Sequence, residues 1–341
     1  VDVDSDSSTF NSSEADLNML AGSTVRFAGL YWSGQSTSAA RNQVLFKTPT
    51  SFGYNLVTAT TLDDSGSGSL FQGFRDVTAL VAAGGSGTYR VANVQSGTAT
   101  NQQAGWTLVV VYSNNALPLR NFAVYDGLVY ASNTTITIPV SGFLTPLSGP
   151  IATRLGSVVY DGDYGSTGDT ISLNGVTLSD AVHPSNNAYN SVISDLGVNV
   201  TAKNPDYVNQ LGFDLARWNV PSGIVANGAT DATIRVTSPG TGEVMWVGVL
   251  TFATDIYVPI ITPNVVKTAE DVNGGFLLAG DTLRWKVVMS NTGQDSGTTL
   301  VATDNIPAGL TYLPGSLKIL TGANTGTKTD ASADDQAEYI A

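Results

Sequence analysis

The chain has 341 residues, of which 13% are charged, with a formal net charge of −13 and an isoelectric point near 4.2. So acidic a balance argues against nucleic-acid binding, because phosphate needs a basic footprint. Cysteine is absent, which rules out disulfides, thiol chemistry and thiolate metal sites, and no apolar run reaches membrane-span length.

Glycine is abundant, Ser, Thr and Asn recur, and helix-favouring runs are nearly missing. That bias predicts short strands joined by polar turns, an all-β chain of two domains or three. Val1–Glu14 opens with Asp at alternate positions. Val25–Trp32 reads as an apolar strand and Asn42–Thr48 as a half-buried one. Ser65–Ser69 is a Gly/Ser loop. Gln72–Ala83 is the best helix candidate, since Phe74, Val77, Leu80 and Val81 recur at helical spacing and Gly84-Gly85 stops it. Thr88–Gln95 is again strand-like.

Ala104–Tyr130 looks like the centre of the chain. Trp106–Tyr112 is an unbroken apolar, β-branched and aromatic run, as in a strand buried on both faces. Asn121–Tyr130, after Pro118, is its expected partner. Thr134–Val140, Thr153–Tyr160 and Asp169–Leu178 follow, the last with an Asn174-Gly175 hairpin signal. Asp180–Asn209 is an Asn-rich stretch suited to capping a sandwich or to binding. Gly212–Val220, Asp231–Thr237 and Glu243–Tyr257 return to strand patterns. Pro259 and Pro263 bracket an extended linker, 259–263. Beyond it, Asp281–Asn291 alternates cleanly: Leu283, Trp285, Val287 and Met289 form a face to be buried, opposite Arg284, Lys286 and Ser290. Thr299–Asn305 and Ser316–Leu320 continue the strand pattern. The expected architecture is a large β-sandwich, jelly-roll-like, over 1–258, then a partial immunoglobulin-like sandwich over 264–341.

Lys267, Asp271-Val272-Asn273-Gly274-Gly275, Gly280-Asp281, Ser290-Asn291-Thr292-Gly293, Thr303–Tyr312 and Pro314-Gly315-Ser316 together resemble a bacterial cell-surface repeat. This is a seven-stranded immunoglobulin-like domain of unknown function, often arrayed in tandem on exported proteins. Phe27–Trp32, Ala104–Tyr112 and Gly162–Asp169 resemble the large module that precedes such repeats. The resemblance implies location and architecture, not a reaction: an extracellular, cell-surface protein whose leader has been removed. Only four or five of the repeat's strands are readable before Ala341, by truncation, processing or completion from a neighbour. An unfinished sandwich exposes a strand edge, and donation of a strand by another copy would build a homo-oligomer or fibre. The N-terminal segment around Phe10 is the candidate donor.

For chemistry, calcium is the favoured expectation, because a hard cation needs several converging oxygens. Asp161, Asp163 and Asp169 surround a Gly-bent loop; Asp2, Asp4 and Asp6 resemble the start of an EF-hand loop without its Gly; Asp271 and Asn273 form a weaker third set. The plain alternative at each is a polar turn. The resemblance also raises an isopeptide bond from Lys267 promoted by Asp304, against a strand-end surface lysine. The lone histidine, His183, reads as an exposed loop residue, and no Gly-x-Ser-x-Gly elbow occurs. The five tryptophans read as core, Trp106 above all, or as a carbohydrate platform. The functional expectation is a non-enzymatic structural or adhesive protein. The alternative is a glycan- or protein-binding adhesin using loops 180–209.

Overall fold

The computed structural model describes all residues except 67, 68, 101, 240–242, 262, 263, 299 and 341. The chain is all-β and its ladders are antiparallel. The first eight strands are β1 (Ser12–Leu17), β2 (Thr24–Gln35), β3 (Gln43–Lys47), β4 (Asn55–Thr58), β5 (Thr61–Asp64), β6 (Leu70–Asp76), β7 (Gly87–Ala92) and β8 (Ala104–Ser113). Next come β9 (Arg120–Ala131), β10 (Thr134–Ser141), β11 (Thr153–Tyr160), β12 (Thr170–Leu173) and β13 (Val176–Thr177). Three short strands follow, β14 (Ser194–Asp195), β15 (Val198–Asn199) and β16 (Lys203–Asn204), and then β17 (Phe213–Val220), β18 (Asp231–Ser238) and β19 (Met245–Asp255).

These strands stack in four layers. An outer sheet, β16-β1-β7-β3-β4, faces an inner sheet, β5-β6-β2-β8. A second inner sheet, β17-β11-β19-β9, faces a second outer sheet, β10-β18-β12-β13. Alternation along each strand sends successive side chains to opposite faces, and that builds three cores. Leu30 and Trp32 of β2 meet Val44, Phe46, Tyr89 and Val91 inside the first sandwich. Leu155, Trp218, Ile234 and Phe252 lie inside the second. Tyr31, one position out of phase with Leu30 and Trp32, joins Leu70, Val158, Tyr160, Phe213 and Trp246 between the two inner sheets. The expected large sandwich is therefore two sandwiches packed back to back.

A polar lock holds the inner sheets in register. The Tyr160 hydroxyl donates to Gln72 Oε1 at 2.6 Å, and Gln72 Nε2 donates to the carbonyl of Gly127 at 2.8 Å. Gln72 is 1% exposed, so this network satisfies a group that is costly to bury alone. Gly248 makes room for it: an added Cβ would stand 2.3 Å from Gln72 Oε1.

Three sequence expectations change here. β8 and β9 do not pair with each other; β8 is an edge strand beside β2, and β9 an edge strand beside β19. The residues buried on both faces belong to β2, β11 and β19 instead, because only the inner layers are covered twice. The helix is confined to α1 (Thr78–Gly84), and Gln72–Asp76 completes β6, where pairing with β2 overrides the helical spacing. Gly85, at φ 65°, ends the helix as expected. The Asn174-Gly175 hairpin is present, with φ of 48° and 82°, both left-handed as a type I′ turn requires.

The chain forms two compact units, Val1–Ser296 and Gly297–Ala341. The stretch 259–263 falls in the first, with Thr262 and Pro263 outside the described residues. There β20 (Val265–Asp271) pairs with β21 (Leu283–Met289) as a two-stranded hairpin. The face expected to be buried is open: Trp285 is 41% exposed, Val287 39% and Met289 40%. In the second unit, β22 (Lys318–Ile319) pairs with β23 (Gly326–Thr327), and the rings of Tyr312 and Tyr339 stack at 4.1 Å. Residues 300–305 form no strand, and Thr299 is outside the described residues.

Candidate functional site

The expected metal-binding turns are used in different ways. Asp2 Oδ1 accepts from the Ser12 hydroxyl at 2.6 Å. Asp4 accepts from Tyr54, from Thr9 and from the backbone N–H of Asp6. Asp6 accepts from the backbone and side chain of Ser8. The N-terminal segment thus folds back on β1, held also by Ser12 N–H donating to the Val1 carbonyl, rather than extending as a free donor strand. Asp271 Oδ1 receives the Asn273 N–H, and Asn273 Oδ1 receives the Thr282 N–H, closing the β20–β21 loop. Lys267 is exposed, with Nζ 4.4 Å from the Trp285 ring centre, a cation–π contact. Asp304 is an exposed residue of the second unit.

The 161–169 loop is split by burial. Asp163 is exposed, Asp161 is half-buried, and Asp169 is fully buried. Asp169 Oδ2 accepts from Tyr189 N–H at 2.6 Å, while its Oδ1 has no hydrogen-bond partner. Two acids distant in sequence join it. Asp214, on β17, accepts from Val192 N–H through Oδ1, and its Oδ2 is unpartnered. Glu243, just before β19, makes no hydrogen bond of normal length, but the backbone N–H of Asp163 lies near enough to favour its charged form. Asp214 is 2% exposed and Glu243 1%.

Gly162 places the loop against this group. A Cβ there would stand 2.2 Å from Asp214 Oδ2 and 2.5 Å from the Tyr189 carbonyl oxygen, so only glycine lets the backbone approach. The Ser191 hydroxyl donates to the Gly162 carbonyl at 2.6 Å and ties the two segments together. Burial raises the Asp169 pKa to about 6, and hydrogen bonds from backbone N–H groups offset part of that. Burial and the nearby Asp169 raise Glu243 to about 7. Asp214 is pushed well above the usual carboxylate range by burial, with Asp169 and Glu243 adding repulsion. Among the described residues no three His, Asp or Glu side chains stand as a ready-made metal cage.

His183 is buried, at 1% exposure, not an exposed loop residue. Nδ1 lies 3.2 Å from Asp180 Oδ1 and 3.3 Å from Ser194 Oγ, and the ring meets Trp218 edge-on. Asn187, Asn190, Ser191 and Ser194 are buried with it. Much of the Asn-rich stretch therefore packs inward and supplies hydrogen bonds where no regular ladder runs.

A cleft of about 440 Å³ opens beside β1, β8 and the 200–215 segment. Its lining includes Glu14, Asp16, Gln103, Trp106, Lys203 and Tyr207. Trp106, the cross-strand partner of the fully buried Trp32, is only half-buried because β8 is an edge. Its Nε1 donates to Ser13 Oγ at 2.8 Å. Glu14 pairs with Arg90, and Asp16 accepts from Thr88 at 2.7 Å. Lys203 Nζ donates to the carbonyl of Tyr207 at 2.8 Å. Aromatic faces beside fixed polar groups suit a polar ligand with apolar patches.

No family model matches the chain, and no curated protein matches it. Among solved structures it is similar to BuGH86wt in complex with neoagarooctaose, at 11% identity and a TM-score of 0.25, over 71% of this chain and 30% of that one. It is similar also to dimeric latent PorU from Porphyromonas gingivalis, at 10% identity and a TM-score of 0.27, over 76% and 27%. A third is the VP2 subviral particle of infectious bursal disease virus, at 10% identity and a TM-score of 0.22, over 72% and 58%. Likeness at this level carries neither a fold nor an activity to the present chain.

Proposed function

We propose that the chain is a non-enzymatic, extracellular structural or adhesive protein of the bacterial surface that associates with further copies of itself. The supporting observation is the β20–β21 hairpin. Val265, Trp285, Val287 and Met289 share one face of it, and each is about two-fifths exposed. A two-stranded hairpin is marginal alone, and a strand edge in a second copy is complementary to it by the same backbone pattern. Behind it, the four-layer stack supplies a broad scaffold. Sedimentation of the whole chain over a concentration series tests this. Mass should rise with concentration, and Val287→Lys should restore the monomer; a wild-type chain that stays monomeric throughout would overturn the proposal.

The cleft beside Trp106 favours a second reading, an adhesin that binds glycan. It places the 200–210 part of the Asn-rich stretch around an aromatic face and two hydrogen-bonded carboxylates. A glycan array reads this directly: specific binding lost in Trp106→Ala supports it.

A further inference from the structure

The cleft beside Trp106 has a charge pattern that selects among ligands. Among the described residues its charged side chains are Glu14, Asp16 and Lys203. Lys203 is turned onto its own loop: Nζ donates to the carbonyls of Pro205 at 3.1 Å and Tyr207 at 2.8 Å. The two carboxylates are fixed from behind, Glu14 by Arg90 and Asp16 by the Thr88 hydroxyl. An ionised carboxylate only accepts hydrogen bonds, and it accepts several, so both retain capacity for donors brought by a ligand. Two uncharged groups add to this. Gln103 and Thr107 also line the cleft, at 6% and 5% exposure, and Gln103 Nε2 and Thr107 Oγ1 lack a hydrogen-bond partner. A buried polar group left open costs free energy, and a ligand hydroxyl, donor and acceptor at once, can satisfy either kind.

We propose, on the glycan-binding reading of this cleft, that its ligand is an uncharged oligosaccharide, and that uronic-acid and sulfated sugars are turned away. A pyranose has a face of C–H groups and a rim of hydroxyls. The face suits the Trp106 ring, which the bond from Nε1 to Ser13 holds in place, and the exposed Tyr207 offers a second aromatic surface. The hydroxyls supply the donors that Glu14 and Asp16 accept, and bonds to charged acceptors are the stronger kind. A carboxylate or sulfate on the sugar brings acceptors alone, and sets like charges against each other on a chain whose net charge is already −13. Lys203 offsets this only in part, because its protons are engaged by the loop carbonyls. The volume of about 440 Å³ is that of a small-ligand cleft, so it takes a short stretch of a glycan rather than a long one.

The test titrates the full chain in a calorimeter with uncharged hexasaccharides (cello-, manno- and xylohexaose) and with acidic ones (hexamannuronate, hexagalacturonate and sulfated carrageenan fragments). At least one uncharged sugar should bind, and the acidic sugars should bind at least about tenfold more weakly. Affinity for the uncharged sugar should hold within about twofold as salt is raised, since binding pairs no net charges. Asp16 is exposed, so Asp16→Asn reads the charge without disturbing the core. It should weaken uncharged binding by about tenfold and narrow the gap to the acidic sugars. Trp106→Ala should abolish binding, and Trp106→Phe, which keeps an aromatic face, should restore part of it. Tighter binding of an acidic hexasaccharide, lost in Trp106→Ala, would overturn the assignment to uncharged sugars while leaving a glycan-binding cleft. So would a preference that Asp16→Asn leaves unchanged. No binding by any sugar in the panel would overturn both the assignment and the glycan-binding reading.

Discussion

β2 and β21 have much in common as sequences, TVRFAGLYWSGQ and LRWKVVM, each apolar and each carrying a tryptophan. Trp32 of β2 is fully buried, and Trp285 of β21 is 41% exposed. The difference lies in what covers each strand. β2 has β6 and β8 as ladder neighbours, a sandwich core on one face and a second sheet on the other. β21 has one ladder neighbour and an open apolar face. Apolar content shows that a strand can be covered; layer position decides whether it is covered within the chain.

The comparison can be broken most forcefully at Trp32. Its ring lies against Gly73, where a Cβ would stand 2.4 Å from it, and its Nε1 donates to the Arg41 carbonyl at 3.0 Å. Trp32→Ala should leave a cavity between two sheets and cost about 3–5 kcal/mol in urea unfolding. A cost under about 1 kcal/mol would show that the first sandwich relaxes around the loss, and the inner layer would then be no more constrained than an edge.

The same contrast explains how far the fold was legible. Most strands could be read from period-two alternation, and Asn174-Gly175 marked its hairpin because few other residues accept two left-handed positions. The layer order could not be read. Trp106–Tyr112 looked more continuous than β2, yet it ends at an edge, since the pairing of β8 with β2 depends on residues far away in sequence. Gln72–Asp76 had helical spacing, but Gln72 is needed between the inner sheets, where Tyr160 meets it. At the acid cluster, Asp169 stood out in a Gly/Asp loop, whereas Asp214 and Glu243 are single acids in apolar surroundings. Their signal was present in kind, an acid inside the strand FDLARW and a scarce Glu just ahead of MWVGV, but nothing in one-dimensional spacing joins them.

A smaller effect sharpens the comparison outside the strands. Burial lowers the pKa of His183, with Asp180 pulling part of the way back. The unfolded chain then binds the proton more readily, so stability rises with pH across the interval between the two values. The contribution is complete above about pH 6.5, the ordinary histidine value, and is lost as pH falls from there through the depressed folded value. Asp180 is the charged group facing the ring, with Ser194 and Trp218 on its other sides. In His183→Asn, stability measured from pH 7.5 down to about pH 5 should decline less than in wild type. Parallel curves for the two proteins would mean that the ring takes up its proton as freely in the fold as in the unfolded chain, and that the Asn-rich segment is as wet as its composition suggested.

The smallest expected effect is at Trp285, and it is the most discriminating. In the isolated chain its ring contacts Lys267 at 4.4 Å and contributes an exposed cation–π interaction of about 0.5–1 kcal/mol. Trp285→Ala should therefore cost under about 1 kcal/mol in urea unfolding at high dilution. If copies associate through this face, the cost should grow as protein concentration rises, because the tryptophan would then be buried against a second chain and stability would depend on mass action. A concentration-independent cost as large as that at Trp32 would mean that the ring is already buried within one chain. The hairpin would then be as fully covered as the inner layers, and the distinction between β2 and β21 would fail.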